Sequence, residues 1–104
     1  MIFITGPLYS GKRTYAAPLG GRQIANVQAL AADAADLDQL ADELAAYDVV
    51  IATEIGGGVV PIDAAERRAR EQAGRLACLL AERADNVVQL FCGIPKALKG
   101  ELPR

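Results

Sequence analysis

The stretch MIFITGPLYSGKRTY, residues 1–15, decides the fold prediction. Residues 2–5 form a short apolar run that ends at a glycine, a pattern typical of a buried parallel strand. The next segment, GPLYSGKRT, is close to the phosphate-binding pattern G-x-x-x-x-G-K-[ST]. Three residues fit the pattern: Gly6, Gly11 and Lys12. Arg13 stands where the pattern has a hydroxyl that holds Mg²⁺, and Thr14 supplies a hydroxyl one position too late.

This loop offers the chemistry of an anion site. The backbone N–H groups of residues 8–12 could surround a phosphate, and the start of a helix at Lys12 would add a partial positive charge. The Lys12 ammonium supplies a mobile point charge, and an aromatic ring at Tyr9 could stack on a base. The alternative is a tight strand-to-helix turn with a surface lysine and an exposed tyrosine. The candidate nucleotide-binding residues are Gly6, Tyr9, Ser10, Gly11, Lys12, Arg13, Thr14 and Glu54, of which Lys12 and Glu54 are the catalytic candidates.

Patterns along the rest of the chain predict strands that alternate with helices. Apolar runs predict strands over residues 48–53 and 86–91, while residues 23–30 (QIANVQAL) fit a strand ending near Val27 better than a helix. Helices are predicted over residues 12–17, 33–46 and 63–84, the last starting at a capping pair, Asp63 and Glu66. Residues 92–104 are interpreted as a basic tail. Residues 1–104 are therefore predicted to form one small α/β domain, a parallel sheet with helices on both faces.

Composition narrows the classes of function. The net charge of -2 gives no reason to expect nucleic acid, and the segment between Arg22 and Arg67 carries only acidic charges, which would repel phosphate unless it faces away from the loop. No apolar run spans a membrane and no leader pattern is present, so a cytoplasmic location is predicted.

Cys78 and Cys92 lie in apolar runs and are predicted to be buried thiols. The sequence contains no histidine, which excludes histidine ligands, bases and nucleophiles.

Four segments together resemble one family, the bifunctional adenosylcobinamide kinase/adenosylcobinamide-phosphate guanylyltransferases of cobalamin biosynthesis. These are FITGPLYSGKRTYA (residues 3–16), TEIGGGVVP (53–61), AERRAREQAGRLACLLAERAD (65–85) and FCGIPKALK (91–99). The resemblance implies a P-loop NTPase-like fold in reduced form, binding of GTP or ATP, and a homo-oligomer. It also implies a phosphorylated small molecule or nucleotide as the partner. Neither nucleic acid nor a membrane is expected as a partner, because of the net charge and the short apolar runs.

The departures from the family pattern concern its metal and its covalent chemistry. The family typically reads SGKS where this chain reads SGKR, so Arg13 replaces the serine. The family also has an aspartate at its metal site, and alignment of IANVQAL places Asn26 at that position. Residues 18–21 occupy the position of a longer segment in the family, which this chain lacks. That family segment contains the histidine that becomes guanylylated. Mg²⁺ binding is therefore doubtful, no residue is assigned to a metal, and guanylyl transfer is not expected.

Three functions remain open from the sequence. The favoured one is a module that binds a nucleotide or phosphorylated ligand at a degenerate metal site. The second is an active small kinase acting on a corrinoid precursor, with Glu54 orienting the acceptor hydroxyl. The third is a structural or interaction protein without a ligand, whose apolar surface is covered by self-association.

Overall fold

The structure, a computed structural model, describes residues 1–7, 10–54 and 63–103. Continuous apolar runs form the central strands, because both faces of a parallel sheet are buried. The strands are β1 (Ile2–Gly6), β2 (Gln23–Ile24), β3 (Val49–Thr53), β4 (Asn86–Phe91) and β5 (Ile94–Lys99). Their order across the sheet is β2-β3-β1-β4-β5, with the first four parallel and β5 antiparallel to β4.

Side-chain caps and helix breakers explain where the helices begin and end. The helices are α1 (Lys12–Ala16), α2 (Gln28–Ala31), α3 (Leu37–Leu44) and α4 (Ala64–Arg83), and a 3-10 turn follows α1 at Ala17–Leu19. The Asp63 carboxylate accepts the Glu66 N–H at 3.0 Å, so the predicted cap of α4 is confirmed. Asp36 caps α3 in the same way, accepting the Gln39 N–H at 3.2 Å.

The sheet separates two apolar clusters, which confirms helices on both faces. One cluster joins Phe3 and Val50 to the buried sides of α3 and α4, where Leu76 and Leu80 are almost fully buried. The other joins Ile4 and neighbouring strand residues to α1 through Ala16. The acidic helix α3 therefore packs on the face opposite α1, whereas Glu54 of the same acidic segment lies at the loop.

Three details of the sequence prediction are wrong. Residues 94–99 form a strand rather than a tail, because pairing with β4 satisfies their backbone groups. The predicted strand over residues 23–27 ends at Ile24, and α2 follows four residues later. Cys78 and Cys92 are both exposed: Cys78 lies off the buried stripe of α4, and Cys92 lies in the turn between β4 and β5. Among the described residues, no helix combines the length and apolarity that crossing a bilayer requires.

Candidate functional site

The predicted phosphate loop begins at the carboxyl end of β1, in the centre of the sheet. Gly6 pairs with Thr53, and the Gly6 carbonyl accepts the N–H of Glu54 at 2.8 Å. A Cβ atom on Gly6 would collide with the Leu90 carbonyl and lie 2.8 Å from Ser10 Oγ, so the close approach of β1, β4 and the loop requires glycine. Parallel pairing of β1 with β3 thus brings Glu54 to the loop, where open α/β sheets bind their ligands.

Lys12 is the central cation of this site. Although charged, it is only 7% exposed. Its Nζ donates to the Pro7 carbonyl at 2.6 Å and to Ser10 Oγ at 3.3 Å, so the ammonium lies within its own loop. Burial lowers the pKa of Lys12, and the nearby Glu54 carboxylate opposes that shift. An anion bound beside Lys12 would favour the charged form of the side chain and so oppose the effect of burial on its pKa.

A cavity of about 360 Å³ opens beside the loop. Its lining consists of Ser10, Gly11, Lys12, Arg13, Thr14, Asn26, Ile51 and Thr53. The volume lies near the lower end of the roughly 300–1,000 Å³ typical of ligand pockets, which suits a phosphate chain better than a whole large ligand. The structure thus brings together five of the candidate residues and adds Asn26, which the sequence alignment had placed at the metal position.

The remaining candidates are placed differently. Gly6 supports the loop from the end of β1 without lining the cavity, and Glu54 lies next to Lys12 rather than in the cavity wall. Tyr9 lies outside the described residues. The helix that starts at Lys12 has only five residues, so most of the positive charge beside the cavity belongs to Lys12 and the exposed Arg13.

Two glutamines that were not predicted from the sequence form hydrogen bonds with residues at the end of β3. Gln89 Nε2 donates to Glu54 Oε1 at 2.8 Å, which fixes the carboxylate orientation. Gln28 Oε1 accepts the Thr53 N–H at 3.0 Å and satisfies the end of β3. Gln89 could have been noticed as the one amide in the apolar run VVQLF, near the carboxyl end of a buried strand.

A larger depression of about 1130 Å³ lies elsewhere, between α3 and α4. Its lining includes the carboxylates of Asp36, Asp38 and Glu71, with Arg75 as the opposing cation. A mainly acidic wall disfavours phosphate, and the cluster of loop donors is absent from it. The smaller cavity at the loop is therefore the better candidate for an anion site.

The described part of the cavity lining contains no carboxylate. Magnesium in proteins prefers carboxylate and other oxygen ligands in octahedral geometry. The lining offers neutral side-chain oxygens and two cations; the oxygens belong to Ser10, Thr14, Asn26 and Thr53, and the cations are Lys12 and Arg13. Over residues 1–7, 10–54 and 63–103, no group of three or more acidic, cysteine or histidine side chains could hold a metal ion.

Comparisons with known proteins agree with the resemblance noted from the motifs. The sequence model of a family described as cobinamide kinase / cobinamide phosphate guanyltransferase matches residues 19–98. Over 59 residues the chain is 39% identical to the bifunctional adenosylcobalamin biosynthesis protein CobP of Pseudomonas aeruginosa, an alignment that covers 57% of this chain and 34% of that protein. The family match begins after Pro18, so the assignment of the phosphate loop rests on its own motif and geometry.

Proposed function

Because the chain belongs to the cobinamide kinase / cobinamide phosphate guanyltransferase family, we propose that its loop binds the phosphate groups of GTP or ATP without requiring Mg²⁺. One observation carries the proposal. The Lys12 ammonium is buried at the carboxyl end of the central strand, within hydrogen-bond reach of its own loop and close to Glu54.

The energetics favour an anion over the present partners of Lys12. Its Nζ now donates to two neutral oxygens, those of Pro7 and Ser10. A phosphate oxygen carries negative charge, so it adds a Coulombic attraction to the ammonium that these two neutral oxygens do not supply. A phosphate oxygen would therefore compete well for Lys12, and backbone donors of the loop need no metal to act.

Independence from Mg²⁺ follows from the two replaced positions. Arg13 adds a fixed positive charge beside the cavity, which repels a divalent cation and attracts phosphate. Asn26 offers a neutral oxygen in place of a carboxylate. Affinity should consequently be modest and should fall with salt, because exposed charges supply part of the attraction.

Calorimetric titration with tripolyphosphate, ATP and GTP, each with and without Mg²⁺, tests this proposal. Wild type is expected to bind with nearly the same Kd in both conditions. The double variant Arg13→Ser with Asn26→Asp restores both family residue types and should make binding Mg²⁺-dependent. Wild-type binding only with Mg²⁺ would contradict the degenerate metal site, and no binding at all would leave the third function, a structural or interaction protein.

A second candidate, residual kinase activity on a corrinoid precursor, is favoured by the Gln89–Glu54 hydrogen bond. With one carboxylate oxygen held by Gln89, the other could accept the proton of an acceptor hydroxyl. The hydroxyl oxygen then bonds to the terminal phosphorus of the nucleotide, the bond from that phosphorus to the bridging oxygen breaks, and the nucleoside diphosphate leaves. Incubation with γ-labelled ATP or GTP and cobinamide should then label the acceptor, and Glu54→Gln should abolish the label. Guanylyl transfer through an imidazole is not proposed, because the sequence has no histidine.

We also keep self-association as a proposal. Phe91, Ile94 and Leu98 are 68%, 69% and 52% exposed on the β4–β5 hairpin, and such apolar surface is often covered in an assembly. Light scattering coupled to size-exclusion chromatography would give the oligomeric state. A monomer at all concentrations would contradict it.

A further inference from the structure

The turn between β4 and β5 has an unusual backbone. Phe91 and Ile94 form the last pair of the hairpin, which leaves Cys92 and Gly93 as the two turn residues. Their φ angles are 52° and 76°, both positive, as a two-residue type I′ turn requires. Asparagine followed by glycine is the usual choice, since cysteine is disfavoured in the left-handed region. A two-residue turn thus places Gly93 in a fixed position at the end of the sheet.

This turn touches the phosphate loop directly. The Gly93 N–H donates to the Ser10 carbonyl at 2.9 Å. The Gly93 Cα atom lies 3.6 Å from the position that a Cβ on Gly11 would occupy. The carbonyl of Leu90, in the strand that leads into the turn, packs against Gly6. The β4–β5 hairpin therefore borders the loop at Gly6, Ser10 and Gly11.

The hydrogen bond to Ser10 sets the direction of one loop amide. In a trans peptide the C=O and the following N–H point in opposite directions. Because the Ser10 carbonyl points to Gly93, the Gly11 N–H points away from the turn. Ser10 and Gly11 both line the 360 Å³ cavity, whereas the turn residues do not. The Gly11 N–H therefore belongs to a cavity-lining residue and points away from the turn.

We propose that the Cys92–Gly93 turn positions the phosphate loop, by fixing the Ser10–Gly11 peptide so that the Gly11 N–H serves as a donor to the bound phosphate. The proposal rests on phosphate binding at the loop, as argued above. The hairpin is anchored at its other end, where Lys99 Nζ donates to the Ala81 and Glu82 carbonyls at 3.0 and 3.1 Å. The hairpin is therefore fixed by Lys99 at one end and by the hydrogen bond from Gly93 to the Ser10 carbonyl at the other.

The test compares turn variants by their tolerance of positive φ. Cys92→Asn keeps the turn and should bind tripolyphosphate at least as tightly as wild type. Cys92→Val, with a β-branched side chain that resists positive φ, and Gly93→Ala, which meets no atom within 4 Å but is strained at its φ of 76°, should each weaken binding by about tenfold. The order of affinity for tripolyphosphate should follow how readily each residue adopts a positive φ, and not the chemistry of its side chain.

Gly100→Ala is the matched control. Gly100 also has a positive φ, 68°, and a Cβ there would lie 2.7 Å from the Asp85 carbonyl, so the change strains the far end of the same strand. It should lower the thermal midpoint while the Kd for tripolyphosphate stays within about twofold of wild type. If Cys92→Val and Gly93→Ala weaken binding no more than Gly100→Ala does, the turn only stabilises the fold and the proposal fails.

Hydrogen exchange separates this proposal from the proposed function. If wild type binds no tripolyphosphate, the function proposed above fails, and exchange of the Gly11 and Lys12 amides decides the positioning role. Faster exchange in Cys92→Val than in Gly100→Ala supports positioning, and equal rates overturn it. Should Cys92→Val fail to fold, Gly93→Ala replaces it in the same comparison.

Discussion

Replacing Lys12 by methionine tests the site most directly. The side chain is 7% exposed, and its Nζ donates to the Pro7 carbonyl and to Ser10 Oγ. Methionine has a similar length and no charge, so Lys12→Met removes the cation while it fills the same space. The variant should lose phosphate binding and keep the fold.

The magnitudes of the two effects differ. A hydrogen bond to a charged group contributes about 1.5–3 kcal/mol, so Lys12→Met should weaken nucleotide binding by about 10- to 150-fold. The two present hydrogen bonds also have a charged donor, so their loss costs roughly 1.5–3 kcal/mol each, but removal of the desolvated ammonium offsets this cost. The Pro7 carbonyl also keeps the Ser10 N–H as a partner at 3.3 Å. The free energy of unfolding should therefore stay within about 1 kcal/mol of wild type.

Arg13→Met provides the control, because it removes a neighbouring positive charge from an exposed side chain. Calorimetry gives the Kd for GTP and tripolyphosphate at two salt concentrations, and urea unfolding gives the stability of each variant. Arg13→Met should weaken binding by a few-fold and mainly at low salt. Equal losses in the two variants would mean that net charge alone attracts the ligand, and an unchanged Kd in Lys12→Met would refute its role.

Three further predictions concern the fold and the titration of the site. Gly6→Ala should destabilise the protein by about 1–3 kcal/mol in urea unfolding, because the new Cβ meets the Leu90 carbonyl; an unchanged midpoint would show that the strands separate easily. Leu80→Ala, at a fully buried position, should cost about 2–5 kcal/mol, whereas Leu30→Ala, at a site 46% exposed, should cost under about 1 kcal/mol. Since burial lowers the pKa of Lys12, the free energy of unfolding without ligand should rise with pH between that lowered pKa and the ordinary lysine pKa. Phosphate affinity should fall over the same pH interval, because Lys12 loses its charge. A flat stability profile that matches that of Lys12→Met would contradict this prediction.

Local sequence determined the central elements. The apolar runs that became β1, β3 and β4 could be recognised because strands buried on both faces carry little else, and Asn86–Phe91 agrees with the prediction at both ends. The start of α4 was equally local, since Asp63 caps a helix through a residue three positions away. The loop could be predicted from Gly6, Gly11 and Lys12 because their spacing, directly after a buried strand, matches the phosphate-loop pattern.

What the sequence could not determine depends on contacts between distant residues. Strand β5 contains Pro95 and exposes Ile94 and Leu98, so its own composition does not distinguish it from a tail; only hydrogen bonds to β4 make it a strand. Burial of the cysteines was misjudged for a similar reason, because an apolar neighbourhood in sequence says nothing about which side of a helix or turn faces the core.

The same division holds at the site. The chain itself supplies the loop residues, but register between parallel strands brings Glu54 to Gly6, and pairing across the sheet brings Gln89 to Glu54 over a separation of 35 residues. The contact of Gly93 with Ser10 likewise joins two ends of the sequence. Tertiary structure decided these contacts, because a carboxylate, an amide and a turn that are far apart in the chain meet only where the sheet places the ends of its strands together.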